Sequence, residues 1–263
     1  MKLRRRKHLP IKKWFGIITN YLLGKIGGNK SWLKELVEYY KWESENEFYP
    51  IYKKKQAEAN TLWNTKPRKT EKDIRSFYGE TDYWILRQMF HHKNNCFPEI
   101  AQILPQNKPI WFCEYGAGVA PVTAWLLPRF DNIHFTLVDL DVPALNFAKW
   151  RFAKYKNVEF LTVPLNGLPL TRKYDFITCF EVLEHVTNAF EVVQHLVKNL
   201  KTGGTLFLDF IQDEDGDENL PQSQAQRIKS IDFLNNNLEA VWALDKTWTK
   251  DGGFGQYVKL KEF

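Results

Sequence analysis

Pro109-Ile-Trp-Phe-Cys-Glu-Tyr-Gly-Ala-Gly-Val-Ala-Pro-Val-Thr-Ala-Trp-Leu-Leu127 is the stretch on which the fold turns. Its apolar run over 110–115, with one acid near the end, predicts a buried strand. Gly116 and Gly118 predict a tight turn. Pro121 suits the first turn of a helix over about 121–128, where an N–H has no helical partner to lose. Strand, glycine turn and helix N-terminus bring backbone N–H groups close to a ligand, with Glu114 expected to accept hydrogen bonds from it. The spacing departs from the dinucleotide fingerprint G-x-G-x-x-G/A. The third small residue, Ala120, follows Gly118 by two places, and Pro121 occupies the fingerprint position.

Downstream, strand patterns near 133–139, 158–163, 175–180 and 204–210 alternate with helical ones near 142–155, 187–200 and 222–235. That alternation predicts an α/β fold with a mainly parallel sheet covered on both faces. The ending differs: 238–244 and 255–261 are joined by Lys250-Asp-Gly-Gly253 and read as an antiparallel hairpin. Asp139 closes the second strand about 20 residues after the glycine turn, where such folds keep an acid for ribose hydroxyls. Asp141 is the better cap for the next helix, which leaves Asp139 for a ligand. Tyr174-Asp-Phe-Ile-Thr-Cys-Phe-Glu-Val-Leu-Glu-His-Val186 places Asp175 at the start of the fourth strand. It places Glu181 just past that strand's end, at the rim where open α/β sheets bind ligands.

Glu114-Tyr-Gly-Ala-Gly-Val-Ala120 resembles the first motif of the class I S-adenosylmethionine (SAM)-dependent methyltransferases, an acid followed by G-x-G-x-G, with alanine replacing the last glycine. Glu181-Val-Leu-Glu-His-Val186 closely resembles the ubiquinone-biosynthesis O-methyltransferases, and small-RNA 2′-O-methyltransferases share its E-x-x-E-H core. The resemblance covers residues 110–263. It implies a Rossmann-like seven-stranded methyltransferase sandwich with a C-terminal antiparallel hairpin, the enzyme domain spanning 76–263 behind a basic helical extension over 1–75. It also implies SAM as cofactor, contacted by Glu114, Gly116, Ala117, Gly118, Asp139, Leu140, Pro164, Leu165 and Glu181. Glu181, Glu184 and His185 are the implied catalytic residues. By resemblance alone, the helix from Thr70 to about His91 covers the mouth, with Tyr78 and Tyr83 as lid residues.

If the E-x-x-E-H string is helical, Glu181, Glu184 and His185 fall at i, i+3 and i+4 on one face. Such a set could hold a divalent cation that lowers the pKa of an acceptor hydroxyl. Without metal, the pKa of His185 suits a general base. Metal-using relatives supply another histidine after the fifth strand, where this chain has Asp209-Phe-Ile-Gln-Asp-Glu-Asp-Gly-Asp217. No metal ligand is therefore assigned, and a divalent metal stays the minority alternative. Asp209 or Asp213 as substitute ligands compete with a plain acidic surface loop.

The 263 residues are 44% hydrophobic and 15% aromatic, enough for a sizeable core and too apolar for a disordered chain. No apolar run reaches the ~18–20 residues that span a bilayer. The basic N-terminus lacks a cleavage-site pattern, so neither a transmembrane segment nor a secretory signal is expected. Cys96, Cys113 and Cys179 form no metal or redox spacing, which points to a reducing, cytoplasmic setting. Residues 1–75 hold 19 Lys+Arg against 8 Asp+Glu, whereas 76–263 hold 18 against 23, so the basic part is separate from the expected enzyme domain.

Residues 1–30 carry nine Lys/Arg and no acid, with Ile11, Trp14, Phe15, Ile18 and Leu22 at helical spacing over 10–23. This segment reads as an arm packed on its own domain, as a peripheral membrane or partner helix through residues 1–28, or as a nucleic-acid contact. A second helix is expected over 31–60, capped by Ser31 and interrupted by Pro50. A loop over 64–70 and a helix from Thr70 to His91 follow. The expected function is methyl transfer to a hydroxyl of a small metabolite or saccharide, one bearing phosphate or carboxylate near the basic helices. The alternatives are an RNA methyltransferase using the basic region and a non-catalytic SAM-fold binding module.

Overall fold

The computed structural model describes residues 32–212, 219–244 and 254–262. The expected helix over 10–23, the Ser31 cap, most of the acidic run and the tip of the C-terminal hairpin lie outside the described residues.

β1 (Ile110–Tyr115) forms as expected and lies inside a seven-stranded sheet of order β3-β2-β1-β4-β5-β7-β6. Its side chains divide strictly by parity. Ile110 and Phe112 join one apolar cluster with Val122 and Leu126, while Cys113 and Tyr115 join another with Val193 and Leu196. This is the alternation of a strand buried by helices on both faces. β2 (Ile133–Asp139), β3 (Val158–Thr162), β4 (Tyr174–Cys179) and β5 (Leu200–Leu208) complete the parallel part. Tyr115 pairs with Val138 on one side and Cys179 on the other. The connections diverge between β1 and β4, which makes the crevice at their carboxyl ends a topological switch point. The hairpin is β6 (Glu239–Trp242) and β7 (Gly255–Val258), antiparallel to each other, with β7 antiparallel against β5.

Before β1 come α1 (Trp32–Tyr40), α2 (Phe48–Thr65), α3 (Glu71–Gly79), α4 (Tyr83–His91) and the short α5 (Pro98–Ile103). Around the sheet lie α6 (Pro121–Leu126), α7 (Pro143–Phe152), α8 (Ala189–Lys198) and α9 (Pro221–Asn237). Prolines open α5, α6, α7 and α9, each in the first turn where the lost N–H carries no helical bond.

The helices before β1 differ from expectation in three places. The break placed at Pro50 falls instead over 41–47, where Lys41 adopts φ 56° and Ser44 opens a 3-10 turn over Glu45–Glu47 with a capping box closed by Glu47. Pro50 then lies in the first turn of α2, where it is tolerated. The single helix from Thr70 to His91 is two. Thr70 caps α3 as expected, but α3 ends at Gly79, and Thr81 Oγ1 accepts the Tyr83 N–H at 3.1 Å as α4 begins. Tyr83, expected at the mouth, is buried, its hydroxyl 3.4 Å from that of Tyr52 on α2.

The boundary expected after residue 75 falls inside α3. Leu36, Phe48, Tyr52 and Leu86 from the helices share one apolar cluster with Val119, Val142 and Phe147. Arg151 on α7 ties the two parts together. Its Nε and Nη2 donate to the Glu35 carboxylate at 3.1 and 2.7 Å, and its Nη1 donates to the Val119 carbonyl at 2.9 Å. Among the described residues no helix is long and apolar enough to cross a membrane.

Candidate active site

The turn after β1 is shaped by positive φ at Gly116 (71°), Gly118 (52°) and Ala120 (54°). The N–H groups of Gly116 and Ala117 donate to Val138 O at 2.8 and 2.9 Å, so the turn hangs from β2. A Cβ on Gly116 would stand 2.0 Å from Val182 Cγ2, and one on Gly118 would stand 2.3 Å from Gln88 Oε1. The glycines are thus required by the protein's own packing as well as by backbone conformation.

Glu114 lines the cavity but is also tied to α6. Its carboxylate is buried and turned towards α6, accepting the N–H groups of Val122 and Thr123 at 3.0 and 2.8 Å and the Thr123 hydroxyl at 2.6 Å. It satisfies the open N–H groups of that helix and so sets the turn's geometry from behind. Burial pushes its pKa up to about 7 against the pull of the same hydrogen bonds.

Asp139 is half-buried at the end of β2, with Oδ2 accepting the Gly118 N–H at 2.5 Å and Oδ1 accepting the Leu140 N–H at 2.6 Å. Each oxygen keeps a lone pair for a ligand hydroxyl. Burial raises its pKa, and the two backbone donors oppose the shift. Ala117, Leu140, Pro164 and Leu165 line the same cavity, which has a volume of about 820 Å³. That lies in the usual range of ligand cavities, about 300–1,000 Å³. Leu165 is exposed at its rim, and the Pro164 carbonyl accepts a 2.6 Å hydrogen bond from Arg75 Nη2 on α3.

The E-x-x-E-H string lines the cavity from the β4 side, but not as one helical face. Glu181 takes φ 54°, outside the 3-10 turn of Leu183–His185, and its side chain is exposed. Its N–H donates to Asp209 Oδ1 at 2.7 Å. Glu184 is 1% exposed, and its Oε2 has no hydrogen-bond partner. Burial first, and the Asp209 charge second, raise its pKa well above the carboxylate range. Burial pushes Asp209 up to about 7, so it is no surface-loop acid. His185 Nε2 stands 4.0 Å from Glu184 Oε1. The left-handed residue at 181 keeps the string from forming one continuous helical face. Among the described residues no three His, Cys, Asp or Glu side chains are arranged to hold a metal ion.

Gln88, Trp63 and Trp84 carried no signal in the sequence. Gln88 Oε1 accepts the Val119 N–H at 3.0 Å and so presses α4 onto the glycine turn. Trp63, Tyr78 and Trp84 form an aromatic wall, and the Trp84 indole N–H is buried without a partner. Tyr78 does line the cavity, as expected; Tyr83 does not.

Residues 113–206 match the family model described as a methyltransferase domain. The ubiquinone biosynthesis O-methyltransferase of Nitrosomonas europaea is 35% identical over 97 residues, 36% of this chain and 40% of that protein. The tRNA U34 carboxymethyltransferase of Campylobacter fetus is 30% identical over 105 residues, 38% of this chain and 37% of that protein. The matched stretch therefore spans well under half of either relative. The solved structure of the N-methyltransferase NodS from Bradyrhizobium japonicum, in complex with S-adenosyl-L-homocysteine, aligns over 73% of this chain and 100% of that one. With a TM-score of 0.50 at 15% identity, the likeness is one of fold.

Proposed function

We propose, on the premise that this chain carries a class I SAM-dependent methyltransferase domain, that it methylates a hydroxyl of a small metabolite or saccharide. The observation that carries this reading is a single cavity. It joins the glycine turn and Asp139 to the 181–185 segment, with Glu181, Glu184 and His185 all on its lining. SAM supplies an electrophilic sulfonium methyl when bound. Asp139 would accept the ribose hydroxyls with its remaining lone pairs, while Leu140, Pro164 and Leu165 flank the adenine and the backbone at Gly116–Gly118 follows the methionine part. Glu181 lies at the strand end between cofactor and acceptor.

The acceptor oxygen would form the new C–O bond as the S–C bond breaks, its proton passing to a base of the 181–185 segment and the thioether product leaving. Glu184 and His185 are the candidate bases at this end of the cavity, and His185 is the more accessible of the two. Enclosure beneath α3 and α4 would fix the reactants and exclude water.

Calorimetric titration with S-adenosylhomocysteine tests the reading. We expect micromolar binding by the native protein and a loss of about ten- to a hundredfold in Asp139→Ala, the range for removing a charged hydrogen-bond partner. No binding by the native protein at millimolar ligand would sink it. RNA remains the second reading, favoured by the basic excess over 1–75. It requires binding that weakens steeply with salt.

A further inference from the structure

The backbone donors of the glycine turn are already engaged within the protein. Gly116 and Ala117 donate to Val138 O, Gly118 to Asp139, Val119 to Gln88, and Ala120 to Ala117 O at 2.6 Å. The start of α6, where a helix would ordinarily meet an anion, is closed as well. Pro121 has no N–H, and the next two N–H groups serve Glu114. The amino-acid tail of SAM ends in a carboxylate, and a carboxylate enclosed without a donor costs free energy. That donor is left to a side chain.

Gln88 on α4 stands at the turn. A Cβ on Gly118 would lie 2.3 Å from its Oε1 and 2.8 Å from its Nε2, and the three heavy atoms nearest that position all belong to Gln88. Oε1 accepts the Val119 N–H at 3.0 Å. An N–H must meet the amide oxygen, so this bond fixes which end of the amide is which. It leaves both N–H donors of Nε2 for the cavity that Gln88 lines. Nε2 makes no hydrogen bond with the described residues, and it is not sealed off by burial. The neighbouring Arg87 also lines the cavity, but its guanidinium carbon is held over the Trp84 ring, 5.4 Å from the centroid.

We infer that Gln88 is a cofactor-binding residue whose Nε2 donates to the carboxylate of the cofactor's amino-acid tail. The inference rests on the methyl-transfer reading and deepens it. One amide then acts twice: its oxygen pins the glycine turn, and its nitrogen recognises what lies along that turn. Recognition of the amino-acid end thereby falls to α4, outside the residues 113–206 that match the methyltransferase domain. The protein should discriminate between ligands that carry the carboxylate and ligands that lack it.

The test titrates the full chain by calorimetry with S-adenosylhomocysteine and with S-adenosyl-3-thiopropylamine. The second ligand keeps the adenosine, the sulfur and the amine and lacks only the carboxylate. We expect the native protein to prefer S-adenosylhomocysteine by at least about tenfold, as for a hydrogen bond to a charged group. Gln88→Glu keeps an oxygen for the Val119 N–H and replaces the donor with a second acceptor. Well above the carboxylate pKa range, it should erase the preference without weakening the amine analogue by more than about threefold. Gln88→Met, of similar length and without polar groups, should erase the preference too and serves if the first variant does not fold. A role confined to pinning the turn would weaken both ligands alike and leave the preference intact. That result overturns the inference, as does a native protein with no preference for the carboxylate. Tighter binding of S-adenosylhomocysteine by Gln88→Glu would put the amide on the ammonium instead and overturn it too. A native protein that binds neither ligand fails the methyl-transfer reading first and takes this one with it.

Discussion

Asp209 and Glu181 show how single residues shape the site. Glu181 holds a left-handed backbone that costs a side-chain-bearing residue roughly 1–2 kcal/mol, and its N–H is turned onto Asp209 in return. Asp209 titrates near 7 in the folded chain and near its ordinary value of about 3.9 when unfolded. The folded state therefore binds the proton more tightly. The resulting stability is fully present below about pH 4 and is lost as pH rises through about 7. Glu114, pushed the same way by burial, adds a slope of the same sign. Asp209→Asn should leave stability unchanged near pH 4 and raise it by on the order of 2 kcal/mol at pH 8, read from urea unfolding at each pH. Parallel pH profiles for the two proteins would mean that Asp209 is already ionised in the fold.

Among the elements, α3 and α4 decide how the cavity is closed, because each grips a different loop of the sheet domain. Arg75 on α3 holds the loop after β3 through the Pro164 carbonyl, and Glu71 holds the loop after β4 through the Thr187 N–H and hydroxyl. Gln222 of α9 donates to Lys69 O just before α3, and Gln88 on α4 holds the glycine turn. Removing Arg75 frees the Pro164 loop, where we place the adenine, while the other contacts persist. The bond is partly exposed, so it should contribute about 1 kcal/mol, and Arg75→Ala should quicken S-adenosylhomocysteine release by roughly fivefold. Stopped-flow tryptophan fluorescence, with Trp63 and Trp84 on the cavity wall, follows that step. An unchanged release rate would show that this contact does not govern escape.

For the molecule as a whole, we expect the helices before β1 and the sheet domain to unfold as one cooperative body. Their shared apolar cluster places Leu36, fully buried, in the same core as Phe147 of α7, and the Glu35–Arg151 pair spans the same junction. A cavity at Leu36 should therefore lower the stability of the entire protein. Leu36→Ala is expected to cost about 2–5 kcal/mol while thermal unfolding stays a single transition by both far-ultraviolet circular dichroism and tryptophan fluorescence. A separate early melt of the helices would support the division after residue 75.

The sequence by itself determined the strand order's raw material, the glycine turn, Asp139 at its strand end and the terminal hairpin. Each follows from local chemistry: two-residue alternation, positive φ that glycine accepts, and turn composition. The capping box of Ser44 and Glu47 was equally local, and it outweighs the proline signal six residues on. Only the tertiary structure decided which groups complete the site. Gln88 and Arg75 reach it across 31 and 89 residues of chain, a separation that no periodicity records. Glu114 is drawn towards α6, which offers it three donors at once. Glu184 became the buried acid because a left-handed Glu181 broke the helical face on which the two would have stood together. Hydrogen-bond occupancy and burial are sums over distant neighbours, and those neighbours are fixed only once the chain has packed.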